Sequence, residues 1–201
     1  MSRRIAMLGL VDLLSNTFNW RLAELEAELT AARAKVAELE SKIEADPLLD
    51  VLNRRGFERE LSRALSYVER YRSSNAVVFI DLDGFKAVND RYGHLAGDNV
   101  LKQVSAAIIG VLRASDIMAR FGGDEFAVLL WNLSEESAHA KARALERIVG
   151  ALDIRCAGAR LRIGASAGVA MLAHTDRIAD VMARADESMY ARKQRAGRNV
   201  A

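Results

Sequence analysis

RFGGDEFAVLL, Arg120–Leu130, sets two glycines and two carboxylates at the head of an apolar run of strand type. Between IMAR (Ile117–Arg120) and EFAVLLW (Glu125–Trp131), the pair Gly122-Gly123 reads as a tight hairpin tip, because glycine tolerates positive φ and lets a ligand approach the backbone. Two strands so joined give the fold an antiparallel centre and leave Asp124 and Glu125 at the edge of the turn. Taken alone, such a turn reads as a solvated loop. A second acidic cluster changes that reading.

The cluster lies in VVFIDLDGFK, Val77–Lys86. Asp81 stands at the end of a buried strand, Asp83 two residues on reads as a turn former, and Lys86 follows in the turn. If this strand neighbours the hairpin, Asp81, Asp124 and Glu125 converge at one edge of the sheet. Carboxylates held together repel and shift one another's pKa unless a cation neutralises them. Oxygen donors without His or Cys point to Mg²⁺, usually held by one or two carboxylates plus substrate phosphates. Such a site suits transfer at phosphorus, where the ion can orient a hydroxyl, lower its pKa and neutralise departing pyrophosphate.

Outward from these runs the pattern alternates. It predicts helices over Arg54–Arg72, Asp98–Leu112, Ser134–Leu152 and Ile178–Arg195, and strands over Ala76–Asp81, Ile117–Arg120, Glu125–Trp131 and Leu161–Met171. The expected class is α+β, an α/β sandwich with a mixed, largely antiparallel sheet covered by helices. Upstream, Leu22, Leu25, Leu29, Ala32, Val36, Leu39 and Ile43 alternate steps of three and four, a heptad seam between charged faces. So narrow a stripe cannot bury itself alone, and a parallel homodimer of this helix is the simplest partner. Val11, Leu14, Phe18 and Trp20 extend the helix or dock on a partner. Pro47, the only proline, ends or bends the helix, which divides the chain into a coiled-coil segment, 1–45, and a domain, 46–201.

Composition excludes several classes. With 29 basic and 27 acidic residues and no basic block, a nucleic-acid polymer is not the expected partner. The single Cys156 rules out an internal disulfide and a Cys-based zinc site, and His94, His139 and His174 lack metal-ligand spacing. MSRRIAMLGLVDLLS is interrupted by Asp12 and falls short of the roughly 20 apolar residues a membrane span needs. A soluble, cytoplasmic protein is expected.

Five segments in order carry a resemblance: DPLLDVLNRRGFEREL (Asp46–Leu61), FIDLDGFKAVNDRYGHLAGDNVL (Phe79–Leu101), RASDIMARFGGDEFAVLL (Arg113–Leu130), GASAGVA (Gly164–Ala170) and ADESMYARKQRAGRN (Ala185–Asn199). Over residues 46–199 the chain resembles a GGDEF-domain diguanylate cyclase. The resemblance implies a fold like the nucleotidyl cyclase and polymerase palm domains, and the condensation of two GTP into cyclic di-GMP and two pyrophosphates. By motif, Asp81, Asp124 and the Leu82 carbonyl would hold Mg²⁺, or Mn²⁺ in its place, with Glu125 helping a second ion. Asp124 adjoins the attacking 3′-hydroxyl and is the position usually given the base role. Lys86 and the backbone N–H groups near Gly84 and Phe85 would meet the phosphates, and Gly122 and Gly123 would make room for GTP. Asn89 and Asp98 would read the guanine edge, with His94 close by.

The same resemblance gives Arg113 and Asp116, an R-x-x-D pair, an inhibitory site for the product, since an arginine fork can engage guanine O6 and N7. Arg143 or Arg147 would complete it. One domain binds one GTP, so catalysis implies two domains facing each other, brought together by the helix as its control element. The other class of reading is a catalytically silent domain that binds cyclic di-GMP and signals through the helix. Leu49 and Asp50 replace the family's usual threonine and glycine. The last motif carries one extra residue, so Lys193 or Gln194 occupies the phosphate-lysine position; Lys193 is preferred, with Arg198 as a second phosphate ligand. No sensor domain is recognisable ahead of the helix, which leaves the input outside this chain or in its first twenty residues.

Overall fold

The structure, a computed structural model, describes residues 20–36, 38–39, 44–156 and 159–198, with backbone alone for 156, 159 and 195–198. It separates into two units, Met1–Ile43 and Glu44–Ala201. In the first, residues 20–36 form helix α1 and residues 38–39 are again helical. Ion pairs one turn apart, Arg21 with Glu24 and Lys35 with Glu38, support it from outside the seam. The seam itself is exposed: Leu22, Leu25, Leu29, Val36 and Leu39 each keep about half their surface in solvent. Val11, Leu14, Phe18 and Ile43 lie outside the described residues. Among the described residues no helix is long and apolar enough to cross a membrane.

The second unit runs β1 (Leu52–Asn53), α2 (Arg54–Tyr71), β2 (Ala76–Asp83), α3 (Phe85–Tyr92), α4 (His94–Ile109), β3 (Ile117–Arg120), β4 (Glu125–Leu130), α5 (Glu135–Gly150), β5 (Ile154–Cys156), β6 (Ala159–Leu161), β7 (Gly164–Met171) and α6 (Ile178–Arg198). Five strands form a sheet in the order β1-β3-β4-β2-β7, and β5 and β6 form a separate hairpin. Only β1 runs parallel to its neighbour β3; the other pairings are antiparallel. The mixed, largely antiparallel sheet expected from the sequence is what forms.

Why AVVFI is apolar without alternation follows from its position. β2 lies between β4 and β7 and is covered on both faces. Val78, Ile80 and Leu82 pack with Val100, Leu101 and Val104 of α4 and Leu145 and Val149 of α5. Val77 and Phe79 pack with Phe57, Leu61 and Ala64 of α2 and Val181, Ala185 and Met189 of α6. The result is a three-layer sandwich. α2 and α5 start where short polar side chains cap them: Asn53 accepts from the Gly56 N–H at α2 and Ser134 from the Ser137 N–H at α5. Glu135 and Glu136 add negative charge at the positive end of α5.

Three elements depart from expectation. Phe85–Tyr92 is a helix, separated from α4 by Gly93 at φ 81°, and α4 begins at His94 rather than Asp98. Its polar, glycine-bounded sequence hides a helix that buries only Phe85 and Val88. The β5–β6 hairpin is too short to show a period. Gly122 and Gly123 are not at positive φ; that conformation belongs to Gly84 and Gly93. Four residues, 121–124, separate β3 from β4, so the loop needs no two-residue turn of left-handed type.

α6 sits closer to the sheet than a side chain would permit. A Cβ on Gly168 of β7 would fall 2.0 Å from the Met189 nitrogen and 2.3 Å from the Ala185 oxygen. Gly168→Ala therefore forces the helix outward and should cost about 3 kcal/mol, lowering the melting temperature by about 6–12 °C. Gly123→Ala, where nothing lies within 4 Å, should melt like wild type in the same calorimetric scan.

Candidate active site

The β2–β4 ladder sets the first two site residues. Asp81 is the antiparallel partner of Glu125, so their side chains leave the same face of the sheet as neighbours. One step further the Leu82 N–H donates to the Asp124 carbonyl at 3.2 Å, which holds Asp124 beside the end of β2. On the other side β7 places Ser166 opposite Asp81, and its hydroxyl donates to both Asp83 oxygens at 3.1 and 3.3 Å. Asp81, Asp83, Asp124 and Glu125 thus gather at one end of the central strands, with Asp81 and Glu125 on the face that α6 covers. Lys193 of α6 reaches into this group and pairs with Asp81.

The electrostatics record the crowding. Burial, followed by the charge of Asp81, pushes the Asp124 carboxyl up. Burial, followed by the charges of Asp81 and Asp124, does the same to Glu125. Asp83 is raised mainly by burial, with the Ser166 hydroxyl working against the shift. The hydrogen bond to Asp81, reinforced by its charge and those of Asp83 and Asp124, holds the Lys193 ammonium above its ordinary range. Among the described residues no three His, Cys, Asp or Glu side chains close into a ready-made metal cage. What is present is an open arc of carboxylates whose repulsion Lys193 offsets only in part, a donor set that fits an ion completing its shell with water and phosphate.

The hairpin that carries Asp124 and Glu125 is braced by Arg120. Its guanidinium donates to the Gly122 carbonyl at 2.9 Å and the Gly123 carbonyl at 2.8 Å, and lies 3.6 Å from Asp46. Asp46 in turn accepts from the Leu48 and Leu49 N–H groups, each at 2.9 Å. Leu49, which departs from the family pattern, is buried in the core, while Asp50 is exposed. Gly122 also leaves room inside the hairpin: a Cβ there would meet the Glu125 carboxylate at 2.8 Å. Sequence reading missed the Arg120 brace; an arginine two residues before the glycine pair was its one signal.

Gly84 at φ 81° opens α3 without a side-chain cap, and Phe85 is buried beneath the turn. Lys86 and His94 are exposed, whereas Asn89 and Asp98 are half-buried. Asn89 lies against Gly97 so closely that a Cβ on Gly97 would fall 2.0 Å from its Oδ1. The side chains of Lys86, Asn89 and Asp98 are tied by no hydrogen bond or ion pair to another described residue. Gln194 is exposed while Lys193 is half-buried against Asp81, which favours the Lys193 assignment. The Arg198 side chain lies outside the described residues.

The R-x-x-D pair stands apart from the carboxylates. Asp116 closes its own turn, accepting from the Arg113 N–H at 2.9 Å while its N–H donates to the Arg113 carbonyl at 2.9 Å. Arg113 is exposed at the border of two concavities, one of about 590 Å³ with apolar walls from Val51, Leu52, Ile109 and Leu112, the other of about 290 Å³ beside Trp131 and Ser134. The α5 cation that lines the second is Lys141; Arg143 lines a separate concavity with His139 and Arg192.

Residues 43–199 match the family described as diguanylate cyclase, GGDEF domain. TpbB of Pseudomonas aeruginosa strain UCBPP-PA14, named a diguanylate cyclase, is 38% identical over 200 residues, 96% of this chain and 46% of TpbB. DgcE of Escherichia coli K12, named a probable diguanylate cyclase, is 38% identical over 167 residues, 83% of this chain and 15% of DgcE. The chain thus spans less than half the length of either relative. The coiled coil and GGDEF domain of DgcB from Caulobacter crescentus, solved in complex with c-di-GMP, matches with a TM-score of 0.72 at 27% identity, covering 88% of this chain and 94% of that one. The isolated GGDEF domain of TpbB from P. aeruginosa PAO1 matches with a TM-score of 0.70 at 42% identity, covering 75% and 88%.

The raised carboxyls have a consequence for stability. An acid that ionises less readily folded than unfolded costs stability as pH rises from about 4, its unfolded pKa, through the raised folded value, and the cost persists above it. Asp124→Asn removes one such acid. In chelator-treated protein it should raise the melting temperature by about 2 °C at pH 7, because water screens a half-exposed carboxylate to under about 1 kcal/mol, and the gain should vanish near pH 3.5. Thermal melts between pH 3.5 and 8 measure this.

Proposed function

This chain belongs to the diguanylate cyclase GGDEF-domain family, and from that premise we propose that it condenses two GTP into cyclic di-GMP with release of two pyrophosphates. The observation that carries the reading is the pairing of Asp81 with Glu125 across β2–β4, with Asp124 tied beside them and Lys193 present as a counter-charge. Asp81, Asp124, Glu125 and the Leu82 carbonyl would hold Mg²⁺, or Mn²⁺ in its place. When bound, the ion supplies charge neutralisation for the triphosphate and acidifies the 3′-hydroxyl.

The chain's own groups divide the remaining work. Asp124, whose carboxyl burial and Asp81 push up, is the acceptor for the 3′-hydroxyl proton. Lys193 and Lys86 face the phosphates, with backbone N–H groups at Gly84 and Phe85. Asn89 and Asp98 read guanine, with His94 beside the same nucleotide; Gly97 fixes where the Asn89 amide lies. Gly122 and Gly123 leave the hairpin surface low enough for a nucleotide to approach. Retention of both Asp124 and Glu125 favours the enzyme over a silent binding domain.

Each domain supplies one 3′-hydroxyl and one α-phosphorus, so the product requires two domains face to face. The exposed seam of α1 is suited to pair two chains and raise the effective concentration of the second half-site. Arg113, left outward by the turn that Asp116 closes, is suited to hold the product's guanine as a feedback site.

Incubating purified protein with GTP and Mg²⁺ should yield cyclic di-GMP on ion-pair chromatography, and Asp124→Ala should reduce it at least about 10³-fold. Unaltered product from that variant would remove Asp124 from the chemistry. Replacing Leu29 and Val36 together by Asp should give a monomeric mass in light scattering and a steep loss of turnover at dilute protein. Equal turnover from a monomer would refute the role of the helix.

A further inference from the structure

Lys193 lies on a stretch of α6 that the core does not hold. Val181, Ala185 and Met189 are buried, but from Tyr190 to Gln194 every residue is exposed or half-buried. Something other than apolar packing must fix this last described part of the helix. The residue before Lys193 supplies it: the Arg192 guanidinium makes a two-pronged bond with the Glu146 carboxylate of α5. Glu146 is the better shielded partner, with 15% of its side chain exposed against 46% for Arg192.

The route of this bond gives it leverage. α5 packs on one face of the sheet and α6 on the other, so the pair passes around the free edge of β7. Glu146 is anchored there as well, because Oε1 accepts the outward Ala167 N–H at 3.0 Å. Ser188 of α6 accepts the next outward N–H, from Val169, at 3.1 Å. Consecutive helical residues diverge by about 100°, so fixing Arg192 at the edge fixes the direction in which Lys193 leaves the helix. That direction ends on Asp81.

We propose that Glu146 is a positioning residue for the triphosphate: through Arg192 it holds the end of α6 so that Lys193 stands over Asp81. This rests on reading the carboxylate edge as a GTP site. Glu146 acts here through Arg192, not by contact with the triphosphate. Its charge is nevertheless felt at Asp83, where burial first and then the charges of Asp81 and Glu146 push the carboxyl up. Neutralising Glu146 would by charge alone strengthen binding of a polyanion, so weakened binding reports lost position rather than lost charge.

The test uses wild type, Glu146→Gln, Arg192→Gln, Lys193→Ala and the double variant Glu146→Gln/Lys193→Ala, titrated calorimetrically with a non-hydrolysable GTP analogue and with GMP in Mg²⁺. The amide introduced by Glu146→Gln keeps an oxygen for the Ala167 N–H, and Arg192→Gln loosens the tie from its exposed side, so a fold defect in one variant leaves the other informative. Each single change should weaken the analogue about tenfold and leave GMP affinity unchanged. The double variant should bind no worse than Lys193→Ala, since both changes act on one contact. Wild-type affinity in either tie variant, equal loss of GMP, or a further loss in the double variant would overturn the proposal. A wild type that binds the analogue but forms no cyclic di-GMP would overturn the cyclase reading and leave the positioning role standing.

Discussion

Everything at the candidate site depends on one register: Asp81 directly opposite Glu125, with Asp124 tied to the next rung. Backbone hydrogen bonds set that pairing, and six consecutive residue pairs from Ala76↔Leu130 to Asp81↔Glu125 share it. A slip of one residue would turn every side chain of β4 to the opposite face and place Phe126 where Glu125 stands. The apolar residues forbid the slip. Phe126, Val128 and Leu130 are buried against one helix layer, and Ala127 and Leu129 against the other. The core thus holds acids together that would separate if free, and their raised carboxyls are the signature of that constraint.

Opposing charge arrives from a separate part of the chain. Lys193 is 112 residues from Asp81 and meets it only because α6 lies against β7 at backbone distance, which Gly168 allows. The hairpin depends on an equally remote brace, since Arg120 holds two of its carbonyls and faces Asp46, far upstream in the chain. Acids and cations therefore reach the site from four segments whose spacing is set by the sheet and its two helix layers. A cluster built this way loses its geometry if any layer shifts.

How much of this was legible in the sequence differs by element. β2, β3 and β4 were readable because AVVFID and IMARFGGDEFAVLL are apolar runs closed by charge and glycine, and the acids at their ends announced the site. The grouping of Asp81 with Asp124 and Glu125 needed only the assumption that the two runs are neighbours. α3 was not readable: Lys86, Asn89, Asp90 and Arg91 dilute its two buried anchors, Phe85 and Val88, below a helical stripe. The conformation of Gly122 was misjudged because a glycine pair suggests positive φ, whereas in the structure a Cβ there would press on the Glu125 carboxylate. Contacts between distant side chains, Arg120 with the hairpin and Glu146 with Arg192, leave no local pattern, and nothing short of the fold reveals them.

Two acidic motifs of similar appearance show why partner accounting has to follow motif reading. Asp116 is spent within its own turn, bonded to the Arg113 N–H and lying 3.5 Å from the Trp131 nitrogen. Its work is to shape the backbone from which Arg113 projects. The Asp124 carboxylate accepts its own backbone N–H, and both Asp124 and Glu125 are pushed toward the neutral form by burial and by neighbouring acids. The first acid is held by backbone donors at its own turn; the other two stand among like charges. Sequence alone shows acids at both places, and only the fold shows how differently their donors and neighbouring charges are arranged.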